Sequence, residues 1–537
     1  MAFRSLLSAV KVVGGLTALS RLFGFLRDII FAHLLGAGPA ADAFLVAFKL
    51  PNLFRRLTAE GALTHAFLPA YSLAKEQKNP QHAIILATEV QAWLFLALSL
   101  IVLILELMMG DVIAVLAPGY GEGDMRAQAA IVLAHITLPY LVMISLVGLW
   151  SAMCHAEDDY LGSGASPIIL NLCLIAAALV IPLSQRYGGY EPVYMALPLA
   201  FAVPIAGLIQ MAVMQQRLIA LKRRPHFRFR PLSAEGRKMW RSFLPAALGA
   251  GGMQLNLIVD LILASWLAVG SLSWLYYADR LAQLPLGVIG IAIGTALLPR
   301  LSAAEAQQVS IEEKKQQFAA LISDSFILSV IAVLPATAGL IMLAPELMAG
   351  LFVSGAFTAD DGIQAAYALI AYGAGLPAFA FIKITQAGLY ACGKARLVLW
   401  ISLGCVVINL ILSVILMQVF AHAGLALATS LSLWSGFLAQ FWFLASARRM
   451  GWQWLKILPK TLTAITVMSA LLYWLRHMEG LELLHDSLSM VILVLCGVIL
   501  YTAMAVGMGL HHHLRRPEQG AQKQASQQTK TKRADRL

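Results

Sequence analysis

Residues 20–60 read SRLFGFLRDIIFAHLLGAGPAADAFLVAFKLPNLFRRLTAE. Two apolar stretches run through this segment, and both carry charges that hydrocarbon does not hold cheaply: Arg21, Arg27, Asp28, Asp42, Lys49, Arg55, Arg56 and Glu60. In the second stretch Asp42, Lys49, Asn52, Arg56 and Glu60 follow at spacings of 7, 3, 4 and 4. At about 100° per residue these positions fall in one narrow stripe of a helix, and a polar stripe on an apolar helix lines water. Pro51 interrupts the backbone ladder, so beyond it Arg55 can replace or join Arg56 on that face. In the first stretch Ser20, Gly24 and Arg27 share a face. The glycine permits close approach of a ligand or another helix, while Asp28 and Asp42 are available to orient guanidinium groups.

The rest of the chain sets these charges in a membrane. Of its 537 residues 60% are hydrophobic and 12% charged, with a mean hydropathy of +0.77. A soluble globular chain carries roughly 25% charge, so a soluble enzyme is excluded. Fourteen stretches are long enough to cross a bilayer: 12–35, 42–71, 84–109, 128–153, 166–184, 193–214, 242–269, 272–299, 317–345, 363–390, 397–418, 424–446, 457–475 and 487–510. They are long and lack strict alternation, which excludes a barrel. The expected fold is an all-α polytopic membrane protein whose basic start continues into a first span rather than into a cleavable signal.

The excess of 39 Lys and Arg over 28 Asp and Glu, a net +11, is mostly topological. The N-terminus, alternate connections and the tail hold 29 of the basic residues, nine of them in 215–241, whereas the opposite connections hold Arg126, Arg186 and Arg476. Both termini are therefore expected in the cytoplasm. The acidic loop His155-Ala156-Glu157-Asp158-Asp159 stands on the same side against the trend. Seven cations remain inside spans: Arg21, Arg27, Lys49, Arg55, Arg56, Arg280 and Lys383. They face Asp28, Asp42, Glu60, Asp260 and Asp279, which leaves a net positive chamber suited to a phosphate or pyrophosphate gripped by guanidinium forks. The plainer reading is a set of intramembrane ion pairs that hold helices together. Asp260, with neutral oxygens from Asn409 and Thr429, suggests a site for a monovalent cation or a proton; the alternative there is a bridge from Asp260 to Arg280 or a hydrogen bond to a neighbouring helix.

The chain also repeats. Phe67-Leu68-Pro69-Ala70-Tyr71-Ser72 is echoed by Leu297-Leu298-Pro299-Arg300-Leu301-Ser302, and Gly148-Leu149-Trp150 with Asn171 by Gly388-Leu389-Tyr390 with Asn409. Two pseudo-symmetric six-helix lobes follow, 1–215 and 242–446, joined by the basic loop 216–241 and followed by two further helices within 447–510 and a polar, disordered tail, 511–537. Parallel repeats usually place a substrate path between halves. The five cysteines show no ligand spacing, and His511 to His513 read as the interfacial end of the last span rather than a metal site.

Three segments, 20–28, 41–62 and Trp274-Leu275-Tyr276-Tyr277-Ala278-Asp279-Arg280-Leu281, resemble the signature segments of the MurJ (MviN) family of lipid II flippases, within the multidrug/oligosaccharidyl-lipid/polysaccharide exporter superfamily. The resemblance in span number and order covers about residues 1–510. It implies that Arg21, Arg27, Arg55 and Arg280 line a central cavity, with Asp28, Asp42, Lys49, Asn52, Arg56 and Glu60 as neighbours, and that 457–510 forms a groove for a polyprenyl tail. Two cytoplasmic connections depart from the family pattern, the short one at Tyr390–Arg396 and the acidic one at 155–159.

The function expected is a non-enzymatic flippase that moves lipid II from the inner to the outer leaflet of the bacterial cytoplasmic membrane by alternating access. No cofactor is expected beyond a coupling cation or the membrane potential. The expected partners are lipid II, membrane lipids and proteins of peptidoglycan synthesis, with no nucleic acid. A polysaccharide-repeat flippase shares the anionic carrier and is the nearest rival. A drug/cation antiporter predicts an acidic chamber, and a membrane glycosyltransferase or phosphatase predicts a catalytic grouping at a membrane face.

Overall fold

A computed structural model describes residues 2–57, 63–77, 79–121, 123–183, 191–306, 310–447, 449–478 and 484–513. Among them the regular structure is helical, apart from an isolated bridge between Ser354 and Phe357, and the helices are joined by turns and by an irregular connection over 223–233. Nine helical segments among the described residues are long and apolar enough to cross a membrane. Two compact units form, Met1–Trp274 with Phe352–Asp361, and Leu275–Leu351 with Gly362–Leu537.

The first unit contains α1 (Ala2–Leu35), α2 (Pro39–Leu57), α3 (Leu63–Gln77), α4 (Pro80–Leu107), α5 (Met109–Leu116), α6 (Met125–Thr137), α7 (Tyr140–His155), α8 (Leu161–Ala178), α9 (Leu197–Ala220) and α10 (Ala234–Ser265). Its core buries Phe44, Phe67, Tyr71, Tyr140 and Trp150, whose indole donates to Gln91 Oε1 at 2.7 Å. The helix expected over 242–269 packs here. Ser233 caps α10 and donates its own backbone N–H to Glu89 Oε2 at 3.0 Å, while Ser265 Oγ accepts from Gly119 N at 2.9 Å, so both ends of α10 are tied to this unit. Outward, α4 presents Leu100, Leu103, Ile104 and Leu107. So broad an exposed apolar face belongs in lipid.

The second unit carries most of α11 (Ser271–Ala306), then α12 (Ile311–Met342), α13 (Ala344–Phe352), α14 (Ala359–Gly373), α15 (Leu376–Ala391), α16 (Ala395–Ser446), α17 (Leu458–Arg476) and α18 (Asp486–Gly507). Phe326 sits at the centre of its core, with ring centroids at 5.3 Å from Phe381, 6.1 Å from Phe437 and 5.4 Å from Trp454. The 52 residues of α16 are not one straight rod. Ala421 takes φ 48° and ψ −129°, and Asn409 Nδ2 donates to Thr429 Oγ1 at 3.1 Å. Twenty residues of straight helix would separate those side chains by about 30 Å, so the chain folds back near Ala421. Gly424 there lies against the Leu416 carbonyl, where any Cβ would approach to 2.3 Å. The two apolar stretches 397–418 and 424–446 are the two arms of this fold.

Two helix-breaking prolines are accommodated in the same way. Pro51 cannot donate to the Ala47 carbonyl, and Thr137 Oγ1 from α6 lies 3.4 Å from it, its one hydroxyl proton shared with the Ala134 carbonyl of its own helix at 3.3 Å. Pro335 likewise leaves the Ile331 carbonyl open, and Tyr501 Oη from α18 fills it at 2.6 Å. A backbone group stranded in hydrocarbon costs several kcal/mol, of the order that makes such side-chain substitutes worthwhile.

Candidate substrate-binding site

Arg27 is held in place by its neighbours. Its Nε and Nη2 donate to Asp28 Oδ1 at 3.0 and 2.6 Å, and its Nη1 donates to Asn171 Oδ1 on α8 at 3.0 Å. Asn171 Nδ2 in turn donates to the Ser20 carbonyl at 3.1 Å, so one side chain bridges α8 to two points of α1. Gly24 makes room for this bridge: a Cβ there would lie 3.3 Å from Asn171 Nδ2. The Phe31 ring lies 5.6 Å from the Arg27 guanidinium carbon. Arg27 is 6% exposed and Asp28 1%, a degree of burial at which removal of either partner strands the other charge. Arg21, on the same helix, is exposed.

On α2, Asn52 Nδ2 donates to the Phe48 carbonyl at 3.0 Å and Asn52 Oδ1 accepts from Arg55 Nε at 3.3 Å. Arg55 thus joins the face of Asn52 through an i, i+3 contact, just past the break at Pro51. Lys49 is half-buried one turn earlier. The side chain of Arg56 and all of Glu60 lie outside the described residues.

Asp42 occupies the other end of α2 and is 1% exposed. It accepts from Gly270 N at 2.7 Å, Ser273 N at 3.1 Å and Ser273 Oγ at 2.7 Å, so it secures the first turn of α11. Favourable alignment of a carboxylate with a helix N-terminus is the physical basis of that contact. Gly270 is required beside it, with φ +93° and only 2.6 Å between a notional Cβ and the Ala37 carbonyl. One turn on, Trp274 Nε1 donates to Asp361 Oδ1 at 2.9 Å, while Asp361 also accepts from Thr358 at the start of α14.

Within the second unit, Arg280 is half-buried on α11. Its Nη2 donates to Tyr276 Oη at 3.2 Å, and its guanidinium carbon lies 4.8 Å from the Tyr276 ring. Stacking leaves the edges of a guanidinium in position to bind an oxyanion. Asp279 accepts from Gln283 one turn along. Lys383 places its ammonium 5.1 Å from the Phe379 ring. Of the three residues read as a cation site, Asn409 and Thr429 are brought together in this unit, and Asp260, half-buried, belongs to the other. Among the described residues no group of three or more His, Cys, Asp or Glu is arranged to hold a metal ion.

Two features escaped the sequence. Asn171 was visible only as part of a repeat, and its partnership with Arg27 spans 144 positions of chain. The acidic loop is also explained. Glu157 accepts from Lys75 at 3.0 Å and Arg223 at 2.8 Å, and Asp159 pairs with Arg217 at 2.7 Å. Burial raises the Glu157 pKa, but the hydrogen bonds from Arg223 and Lys75 outweigh it and hold the carboxyl below its ordinary value. Its charge is thus absorbed by cations of the same face, in keeping with the distribution around it.

Comparison with known proteins is consistent across the chain. A family model described as lipid II flippase MurJ matches residues 31–510. A probable lipid II flippase MurJ from Rhizobium tropici is 33% identical over 511 residues, covering 94% of this chain and 93% of that protein. The lipid II flippase MurJ of Burkholderia cenocepacia is 29% identical over 513 residues, covering 94% and 97%. Among solved structures, a lipid II flippase MurJ in an inward closed conformation is similar with a TM-score of 0.77 at 22% identity, covering 92% of this chain and 97% of that one. An inward-facing multidrug resistance MATE family transporter of the MOP superfamily is similar with a TM-score of 0.62 at 16% identity, covering 80% and 95%. At those identities the structures speak for the fold.

Proposed function

The chain belongs to the family of the lipid II flippase MurJ, and from that premise we propose that it carries lipid II across the bacterial inner membrane by alternating access. It is a transporter, not a catalyst, and it serves peptidoglycan synthesis. The observation that carries this reading is the family match over 31–510 in a chain whose α1 and α2 concentrate Arg21, Arg27, Lys49 and Arg55 within apolar sequence. Lipid II presents a pyrophosphate on a polyprenyl chain, and guanidinium groups match its paired oxyanions bidentately. Arg27, Arg55 and Arg280, helped by Arg21, bind the pyrophosphate. Asn52 supports this by aligning Arg55, as Tyr276 does by stacking on Arg280. Lys49, Arg56 and Glu60 complete the proposed polar lining, with Asp28 bracing Arg27 and Asp42 anchoring the start of α11.

The finer architecture is part of the same proposal: fourteen membrane helices, both termini in the cytoplasm, a tail groove at the last two helices, and a reset driven by membrane potential or by a monovalent cation at Asp260. Proteins of peptidoglycan synthesis are its proposed protein partners. The test is leaflet accessibility of lipid II after acute depletion of the protein, with complementation by variants. Lipid II should remain on the inner leaflet without the protein and reach the outer leaflet when wild type is restored. A folded Arg280→Ala protein should fail to restore it; full restoration would remove Arg280 from the proposal.

A further inference from the structure

The connection between α9 and α10 carries a second arrangement of cations, remote in sequence from α1 and α2. Residues 223–233 form no helix, and after Arg224 and Pro225 the residues from His226 to Arg230 alternate between basic and aromatic side chains. Arg224, His226, Arg228 and Arg230 line a cavity of about 560 Å³ together with Lys222 and Thr88. The intervening Phe227 and Phe229 are exposed. Phe227 meets Phe95 of α4 edge to face at 5.1 Å, and Trp93 Nε1 donates to the Arg230 carbonyl at 3.0 Å. The segment is therefore pinned along α4 with its cations turned to a cavity and its phenylalanines turned out.

The cations of this cavity are not consumed by the nearby acidic loop. Arg217 and Arg223 serve Asp159 and Glu157, whereas Lys222, Arg224, Arg228 and Arg230 have no carboxylate partner among the described residues. α4 has 28 residues, about 42 Å of helix, against about 30 Å of hydrocarbon. In the proposed orientation, with the overhang of about 12 Å at this end, the first turns, which supply Gln81, Ile84, Ile85 and Thr88 to the cavity, reach the headgroup region, and Trp93, Phe95 and Phe227 follow one to two turns deeper.

We infer that this cavity binds the phosphate headgroup of an anionic phospholipid, whose acyl chains run along α4 past Phe227 and Phe229. Basic pockets at the cytoplasmic border of membrane helices bind lipids of this class. A soluble phosphate would use the cations but not the outward aromatic side chains, and their coexistence on one short segment selects a lipid. This site is independent of the chamber proposed for lipid II.

The test uses the purified full-length chain, delipidated in neutral detergent, with native mass spectrometry reading bound dioleoylphosphatidylglycerol, dioleoylphosphatidylcholine or glycerol phosphate. Phosphatidylglycerol should be retained at least tenfold more strongly than phosphatidylcholine. The triple variant Arg224→Gln, Arg228→Gln, Arg230→Gln should abolish that preference, and Phe227→Ser with Phe229→Ser should weaken phosphatidylglycerol severalfold. A charge-matched variant in the tail, Arg515→Gln, Arg516→Gln, Lys523→Gln, should bind as wild type. Equal losses from both triple variants, or glycerol phosphate binding as tightly as phosphatidylglycerol, would overturn the inference. In the wild-type protein, phosphatidylglycerol with a photoreactive group near its headgroup should crosslink within 219–230; crosslinks confined to other segments would overturn it independently of how any variant folds.

Discussion

Arg27 and Asp28 are adjacent in sequence, buried together, and joined by two hydrogen bonds to one oxygen. Breaking a buried pair from one side costs about 3–5 kcal/mol, because the remaining charge has lost its counterion. Arg27→Gln and Asp28→Asn should each lower the melting temperature in detergent, and the double variant should recover much of that loss. Flipping separates the two meanings of the pair. If Arg27 serves the substrate, the stable double variant stays inactive; if the pair only braces α1, activity returns with stability. Glu157 offers a second test at this scale. Its carboxyl is held below the ordinary value of 4.5 by Arg223 and Lys75, so it stabilises the fold above that value and ceases to do so as pH falls through its own lowered pKa. Glu157→Gln should therefore cost about 1–2 kcal/mol at neutral pH, and melting curves of variant and wild type should converge under acid conditions. The sequence marked Arg27, Asp28 and Glu157 as anomalies of charge. It was silent on their partners, because Asn171 and Arg223 reach them across 144 and 66 positions.

At the scale of elements, the proline breaks in α2 and α12 are repaired by hydroxyl groups from other helices. Thr137→Val removes the donor to Ala47, and Tyr501→Phe removes the donor to Ile331. Each leaves a buried carbonyl unpaired, at a cost of about 1–3 kcal/mol. Faster amide exchange is expected around 47–55 for Thr137→Val and around 331–339 for Tyr501→Phe, with the rest of each spectrum unchanged. Exchange that rises uniformly across the chain would show that the hydroxyl groups act on global stability and not on the local break. The positions of Pro51 and Pro335 are plain in the sequence. The identity of the compensating hydroxyl is not, since any nearby helix could have supplied one. Asp42 teaches the same lesson. Helical phase grouped it with Lys49 and Asn52, and phase is right about direction on a helix; the first turn of α11, which occupies that direction, is supplied by chain 228 and more residues away.

For the whole molecule, transport needs an energy source as well as a site. If the cycle is reset as proposed, by membrane potential or by a cation at Asp260, moving one charge through a potential of 100 mV supplies about 2.3 kcal/mol. Asp260→Asn should then slow net translocation of lipid II at high potential while leaving its binding intact. Equal rates for wild type and variant across a range of imposed potentials would take Asp260 out of the cycle.

What the sequence by itself determined was the membrane, the helices and the anomalous charges. Those follow from local quantities: the length of an apolar run, the cost of a charge in hydrocarbon, and the side on which Lys and Arg accumulate. Only the tertiary structure decided which charges are neutralised and which stand clear. It joined Arg27 to Asn171, spent Asp42 on the start of α11, closed the acidic loop with Lys75, Arg217 and Arg223, and left Lys222, Arg224, Arg228 and Arg230 around a cavity. The reason is physical: a charge is fixed by its residue type, but its field and its hydrogen bonds depend on neighbours that the fold brings from elsewhere in the chain.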